Sequence, residues 1–257
     1  MSPFGIKITK TSFGGVPGVL FSPKISKQQS AIMVFFHGGG YCFGSSLTTH
    51  RLGIALMAKE TGILCHSVDY RLAPENPYPA ALDDAWQAYH HIIQANPNRR
   101  IILSGDSAGG GLALALAMRL RDEKGRLPDD LILFSPWTDL TCGGDSFASK
   151  AKVDPMFTVS MPRDCSHYYA PKGVDMTDPY ISPAFGDFSE LPRCLILCGG
   201  NEILLSDSES LAHKFEHSGG DVELALWPAM FHDWWLFGQF IPETKQCLTK
   251  VARWLDD

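Results

Sequence analysis

Long apolar runs are absent from this sequence. The stretches of that kind, Ala31 to Phe36 and Leu112 to Met118, are short, whereas a membrane-crossing helix needs roughly twenty consecutive apolar residues. No stable membrane insertion is therefore expected. A basic surplus is also missing: the formal net charge is −6, which argues against nucleic acid as a partner, since phosphate binding leaves a basic footprint. The seven cysteines, at 42, 65, 142, 165, 194, 198 and 247, are odd in number and scattered, and none forms a C-x-x-C metal or redox motif. Several lie inside apolar runs, where free cysteine behaves as a small hydrophobe. That usage points to a reducing, cytoplasmic compartment. The first ten residues carry no apolar leader core, so no secretory signal is expected. Low-complexity tracts, long charge blocks and internal repeats are lacking as well.

What is present describes a protein with a sizeable core: 257 residues, 45% hydrophobic and 19% charged. We read residues 1–257 as one α/β domain. Ile6-Lys7-Ile8 alternates weakly, Gly14-Gly15 turns the chain, and Val16 to Ser22 completes an opening β-hairpin. Ala31 to Phe36 is continuously apolar, as a strand buried on both faces requires. Further strands are expected at Ile63–Val68, Arg100–Leu103, Leu131–Phe134, Cys194–Cys198 and Glu223–Trp227. Helical spacing covers Leu47–Glu60, Ala80–Gln94, Gly110–Glu123, Ser206–His217 and about Glu243–Leu255. Alternation of this kind implies a central, mostly parallel sheet of eight strands flanked by helices. From about 141 to 188 the periodicity breaks among prolines, glycines and aromatics. We expect this segment to be an insertion over the C-terminal edge of the sheet, where sites in such folds collect.

The most informative stretch is Gly105-Asp106-Ser107-Ala108-Gly109-Gly110. G-x-S-x-G between a strand and a helix reads as a nucleophile elbow, a turn sharp enough to leave the serine Oγ exposed at the strand end. A serine hydroxyl needs a base to take its proton and a carboxylate to orient that base. With this fold the chain order is serine, acid, histidine. Of the nine histidines, His90 and His91 fall mid-helix, His213 and His217 lie on the helix before the last strand, and His66 lies inside a strand. His50 and His167 sit in no motif. His232, a few residues past the last strand, is the candidate base. Glu202 follows the preceding strand and is the favoured acid. Asp207 competes, but the helix N-terminus favours an acid there as a cap. Asp233, beside His232, should point elsewhere.

An oxyanion intermediate needs backbone N–H groups aimed at its developing charge. His37-Gly38-Gly39-Gly40 follows a buried strand, and the amides of Gly38 and Gly39, with that of Ala108, are the candidate donors. Tyr41, Phe43, Asp106, Trp137, Phe157 and Phe231 are candidate pocket residues. Asp69, Arg71 and Glu75 are candidate partners in a polar network behind the glycine loop.

Together HGGG at 37–40, YRLAPE at 70–75, GDSAGG at 105–110 and the C-terminal acid and histidine resemble the hormone-sensitive-lipase-like esterases, from about residue 30 to the end. The resemblance implies an α/β-hydrolase fold and carboxylic-ester hydrolysis through an acyl-serine, with no cofactor and no metal. It also sets Glu202 where the family usually has aspartate. Family members usually carry cap helices before the first strand. Here the residues before Ala31 read as a hairpin, so a small, reduced cap and a preference for short- to medium-chain esters are expected. The expected partner is a small-molecule ester; the C-terminal helix and last strand are a candidate homodimer edge. Two rivals remain: a non-catalytic small-molecule receptor on this fold, against which His232 counts, and an amidase or peptidase.

Overall fold

The computed structural model describes residues 5–24, 30–157 and 160–256. Part of the N-terminal stretch read for a leader, residues 1–4, lies outside them, as do 158–159 of the irregular segment. Eight strands form one sheet in the order β1-β2-β4-β3-β5-β6-β7-β8. They are β1 (Ile6–Phe13), β2 (Val16–Pro23), β3 (Ala31–Phe36), β4 (Leu64–Val68), β5 (Arg100–Asp106), β6 (Asp130–Phe134), β7 (Arg193–Gly199) and β8 (Val222–Trp227). The β1–β2 and β2–β4 pairings are antiparallel and the others parallel. The chain thus crosses from β4 over β3 to β5, and the carboxyl ends of β3 and β5 lie side by side, with Phe36 opposite Gly105.

Side chains alternate across the sheet, and both faces are covered. Ile32, Val34 and Phe36 of β3 pack on the face covered by α2 (Ala80–Ala95), α3 (Ser107–Asp122) and α6 (Leu205–His217). Met33 and Phe35 pack on the opposite face, against α1 (Arg51–Thr61) and α7 (Glu243–Asp256). The amino ends of three strands are clamped by charge: buried Asp130 on β6 accepts from Arg100 of β5 and Arg193 of β7, each at 2.7 Å from Nε. Both arginines also donate to carbonyls of α7, at Leu255 and Trp254, which ties the last helix to the sheet.

Two helices begin well away from where the sequence reading set them. The helix expected from Leu47 begins at Arg51, because Ser45, Thr48 and Thr49 hydrogen-bond among themselves in a turn that competes with helix. The helix behind the elbow begins at Ser107 itself rather than at Gly110.

The 141–188 segment contains α4 (Ser146–Ser149), α5 (Ser160–Tyr169) and a short 3₁₀ turn at Pro183–Phe185. It is fastened to the strand-end loops: Leu140 N donates to Ser182 Oγ at 3.0 Å, Ala184 N to Thr138 O at 3.0 Å, and Ile203 N to Asp154 Oδ2 at 2.9 Å. Among the described residues no helix is long and apolar enough to cross a membrane.

Candidate active site

The elbow is shaped by backbone meeting backbone. A Cβ on Gly105 would lie 2.3 Å from the Gly109 carbonyl oxygen, and one on Gly109 would lie 2.1 Å from that of Phe36. Neither position can carry a side chain without moving a strand. Between them Ser107 takes the left-handed conformation, φ 51°, which a non-glycine residue holds only when its surroundings compel it. The strain is local and the result is useful: Ser107 is presented at the end of β5, where the first turn of α3 leaves its own N–H groups unpaired.

Residues of the glycine loop face the elbow. Gly39 has φ 117° and no room for a Cβ, which would fall 2.0 Å from the Phe43 carbonyl oxygen. Gly38 corrects the sequence reading. Its amide donates to Asp106 Oδ1 at 2.9 Å, so it is committed to the scaffold. The amides of Gly39 and Gly40 have no acceptor among the described residues, and both residues line the same cavity as Ser107. The loop amides left without an acceptor beside Ser107 are thus one residue further along than the expected Gly38 and Gly39.

Asp106 lines that cavity, but its oxygens hold the loop in place. Oδ2 lies 2.8 Å from His50 Nε2, and Thr49 Oγ1 lies 2.6 Å from His50 Nδ1. Burial works against charge on both partners. The carboxylate nevertheless raises the His50 pKa, and the imidazole keeps Asp106 below its usual value. By contrast burial and the neighbouring His50 charge lower His37 to about 4, so it stays neutral. Sequence reasoning missed His50. It fell inside the helix expected from Leu47 and in no motif, and its partner lies 56 residues away.

Of the proposed polar network, Asp69 accepts from the Ser46 amide at 2.7 Å and from its hydroxyl at 2.6 Å, and Tyr70 donates to the His37 carbonyl at 2.6 Å. Arg71 pairs instead with Asp84, and Glu75 is exposed.

Glu202, fully buried at the end of β7, accepts from Ser135 Oγ at 2.8 Å and from the Cys198 thiol at 3.0 Å. Its Oε2 stands 3.7 Å from His232 Nδ1, an ion-pair separation longer than a hydrogen bond. Asp207 faces away from His232. Its Oδ2 accepts the amides of Thr138 and Asp139, at 2.7 and 2.8 Å, so it braces the loop after β6 rather than capping α6 as expected. Burial outweighs those two amides and pushes its carboxyl up to about 7. His232 Nε2 is 2.9 Å from Asp233 Oδ2, and no hydrogen bond joins Ser107 to the imidazole among the described residues. Burial alone would lower the His232 pKa, but the two carboxylates hold it well above its ordinary value.

The cavity over Ser107 measures about 190 Å³ and is lined mostly by apolar side chains, among them Phe43, Trp137, Met156, Phe157 and Met161. The Phe157 ring centroid lies 4.6 Å from that of His232. Two expected pocket residues are elsewhere. Tyr41, turned by a left-handed backbone at φ 62°, is buried in the core and stacks on Tyr169 of α5, with ring centroids 3.8 Å apart. Phe231 packs edge-on against Phe237 outside the cavity.

Comparison with known proteins adds a family context. A family profile described as alpha/beta hydrolase fold matches residues 33–236. An esterase of Acinetobacter venetianus is 36% identical over 249 residues, 96% of this chain and 81% of the relative. An acetyl-hydrolase of Streptomyces hygroscopicus is 36% identical over 90% of this chain and 77% of its own length. Among solved structures, a hormone-sensitive lipase from a metagenome library superposes with a TM-score of 0.94 at 37% identity, covering 98% of this chain and 86% of that one.

Proposed function

The chain belongs to the hormone-sensitive-lipase-like esterases of the α/β-hydrolase fold, and from that premise we propose that it is a serine carboxylesterase acting on short- to medium-chain esters. The observation that carries the reading is Ser107, held at φ 51° between two glycines with no room for a Cβ, in one cavity with Gly39, Gly40 and His232.

In this reading Ser107 Oγ attacks the ester carbonyl while His232 Nε2 takes its proton and Glu202 steadies the resulting imidazolium. The amides of Gly39, Gly40 and Ala108 receive the oxyanion. His232 returns the proton to the departing alcohol, and in the second half it activates the water that releases the acid. The cavity supports the size class. At about 190 Å³ it falls below the ~300 Å³ at which pockets for drug-sized ligands begin, and Phe43, Phe157 and Met161 border it. Cleavage by the curated Streptomyces relative is of acetyl groups by its name, which fits the same end of the range.

The test is turnover of p-nitrophenyl acetate and butyrate by Ser107→Ala, with circular dichroism to verify folding. We expect the activity to fall to background. Undiminished turnover in the folded variant would sink the proposal. A series of p-nitrophenyl esters of increasing acyl length should peak at the short end; a maximum at long chains would remove the size assignment.

A further inference from the structure

The reaction described above has no use for Asp233, yet that side chain occupies the atom the reaction needs. Its Oδ2 lies 2.9 Å from His232 Nε2, while Nδ1 of the same ring faces Glu202. The imidazole is thus held between two carboxyl groups, one on each nitrogen. Asp233 is buried, borders the cavity with Ser107, and its Oδ1 has no hydrogen-bond partner among the described residues. Its backbone is left-handed at φ 52°, a conformation that suits glycine. Aspartate is among the few non-glycine side chains that tolerate this region.

The surroundings are dense in titratable groups. Asp106 faces Asp233 from the end of β5, Glu202 from the loop after β7, His50 from the head of α1 and the Cys247 thiol from α7; His37, beside Asp106, stays neutral. Two carboxylates this close resist joint ionisation. Burial and Asp106 push Asp233 up to about 7, against the pull of His232. At 2.9 Å the hydrogen bond between His232 Nε2 and Asp233 Oδ2 requires one proton between the two atoms, and groups that interact this closely titrate together.

We propose that Asp233 gates the histidine: in the resting enzyme it ties up His232 Nε2 through one shared proton, and ester turnover waits for that proton to leave. While it is present, it sits on Nε2 as imidazolium or is donated to Nε2 by the carboxyl, and in both arrangements the lone pair is engaged. Once it is lost to solvent, a neutral ring nitrogen and a carboxylate are both acceptors and no hydrogen bond joins them. Nε2 is then released to accept the proton of Ser107 Oγ. Asp233 is a positioning residue in this scheme, and the scheme rests on the serine-esterase reading.

The experiment is the pH profile of kcat/KM with p-nitrophenyl acetate for the wild type, Asp233→Asn and Asp233→Gly, alongside an NMR titration of the His232 ring in each. Asp233→Gly suits the left-handed backbone, and circular dichroism verifies that each variant folds. We expect the acid limb to move down by about one pH unit in both variants, raising kcat/KM about tenfold on the acid side of the wild-type midpoint, with the ring titration moving in step. Coincident profiles and an unmoved His232 titration would overturn the gate. So would variants that lose activity at every pH, since Asp233 would then assist rather than restrain. The NMR arm is independent of turnover: a lowered His232 titration beside a fully active Ser107→Ala would leave the coupling standing and discard the esterase mechanism.

Discussion

Two loops converge on Ser107, and they are held in opposite ways. The glycine loop and the elbow are fixed by sterics and by hydrogen bonds. Backbone oxygens stand where any Cβ would go, and Asp106 fastens Gly38 to the end of β5. The histidine loop is held by charge. His232 lies between Glu202 and Asp233, all three buried, and anchored below by Trp234 and Trp235, which are fully buried. The contrast teaches where each part of the site is vulnerable. Bulk breaks the first loop; the second is held by groups whose charge depends on pH, and its backbone is left-handed at Asp233.

The largest effect should come from adding bulk to the steric side. Gly109→Ala sets a methyl 2.1 Å from the Phe36 carbonyl oxygen, and since the obstacle is a strand, the loss should exceed the ~1–3 kcal/mol of an overpacked core. Urea denaturation is expected to show it, together with vanishing esterase activity; a stable, active variant would show that the elbow is softer than described. On the charged side, Glu202→Gln should keep the fold and lower kcat by about 10⁴, the scale seen when a triad carboxylate becomes an amide. Asp207→Asn should cost less than tenfold, and the reverse ranking would transfer the acid's role to Asp207.

The smallest effect tests the same contrast through stability. A carboxyl held above its unfolded value binds more protons folded than unfolded, so its contribution falls as pH rises from about 4 through about 7. Asp207→Asn should flatten that part of the Tm–pH curve, whereas Gly109→Ala should lower Tm equally at every pH. Parallel curves for wild type and Asp207→Asn would remove the proton from this account of Asp207.

Much of this architecture was legible in the sequence, because it is written in local pattern. The apolar run Ala31–Phe36 reads as a strand covered on both faces, and the elbow glycines announce a tight turn. The order serine, acid, histidine led the sequence reading to Glu202 and His232, and these two residues follow the adjacent strands β7 and β8. What escaped depended on direction or on distant partners. An aromatic at 41 reads as pocket or core equally well until the left-handed backbone turns it onto Tyr169. Three successive glycines do not reveal that the first has given its amide to Asp106. His50 carries no motif because its meaning lies in Asp106. Asp207 looked like a helix cap from its place in the chain, while its carboxylate reaches across to Thr138 and Asp139. Asp233 was expected to point away from its neighbour, and the left-handed turn brings it onto His232 instead.

The central claim is that Ser107 carries the acyl group. Brief reaction with p-nitrophenyl acetate, or with a p-nitrophenyl dialkyl phosphate that stalls after the first step, followed by acid quench and peptide mass mapping, addresses it directly. The account predicts one added acyl or phosphoryl group per chain, on the peptide containing Ser107 and on that residue, and none in Ser107→Ala. A label on another residue, or an unlabelled Ser107 in an enzyme that still turns over the ester, would contradict it.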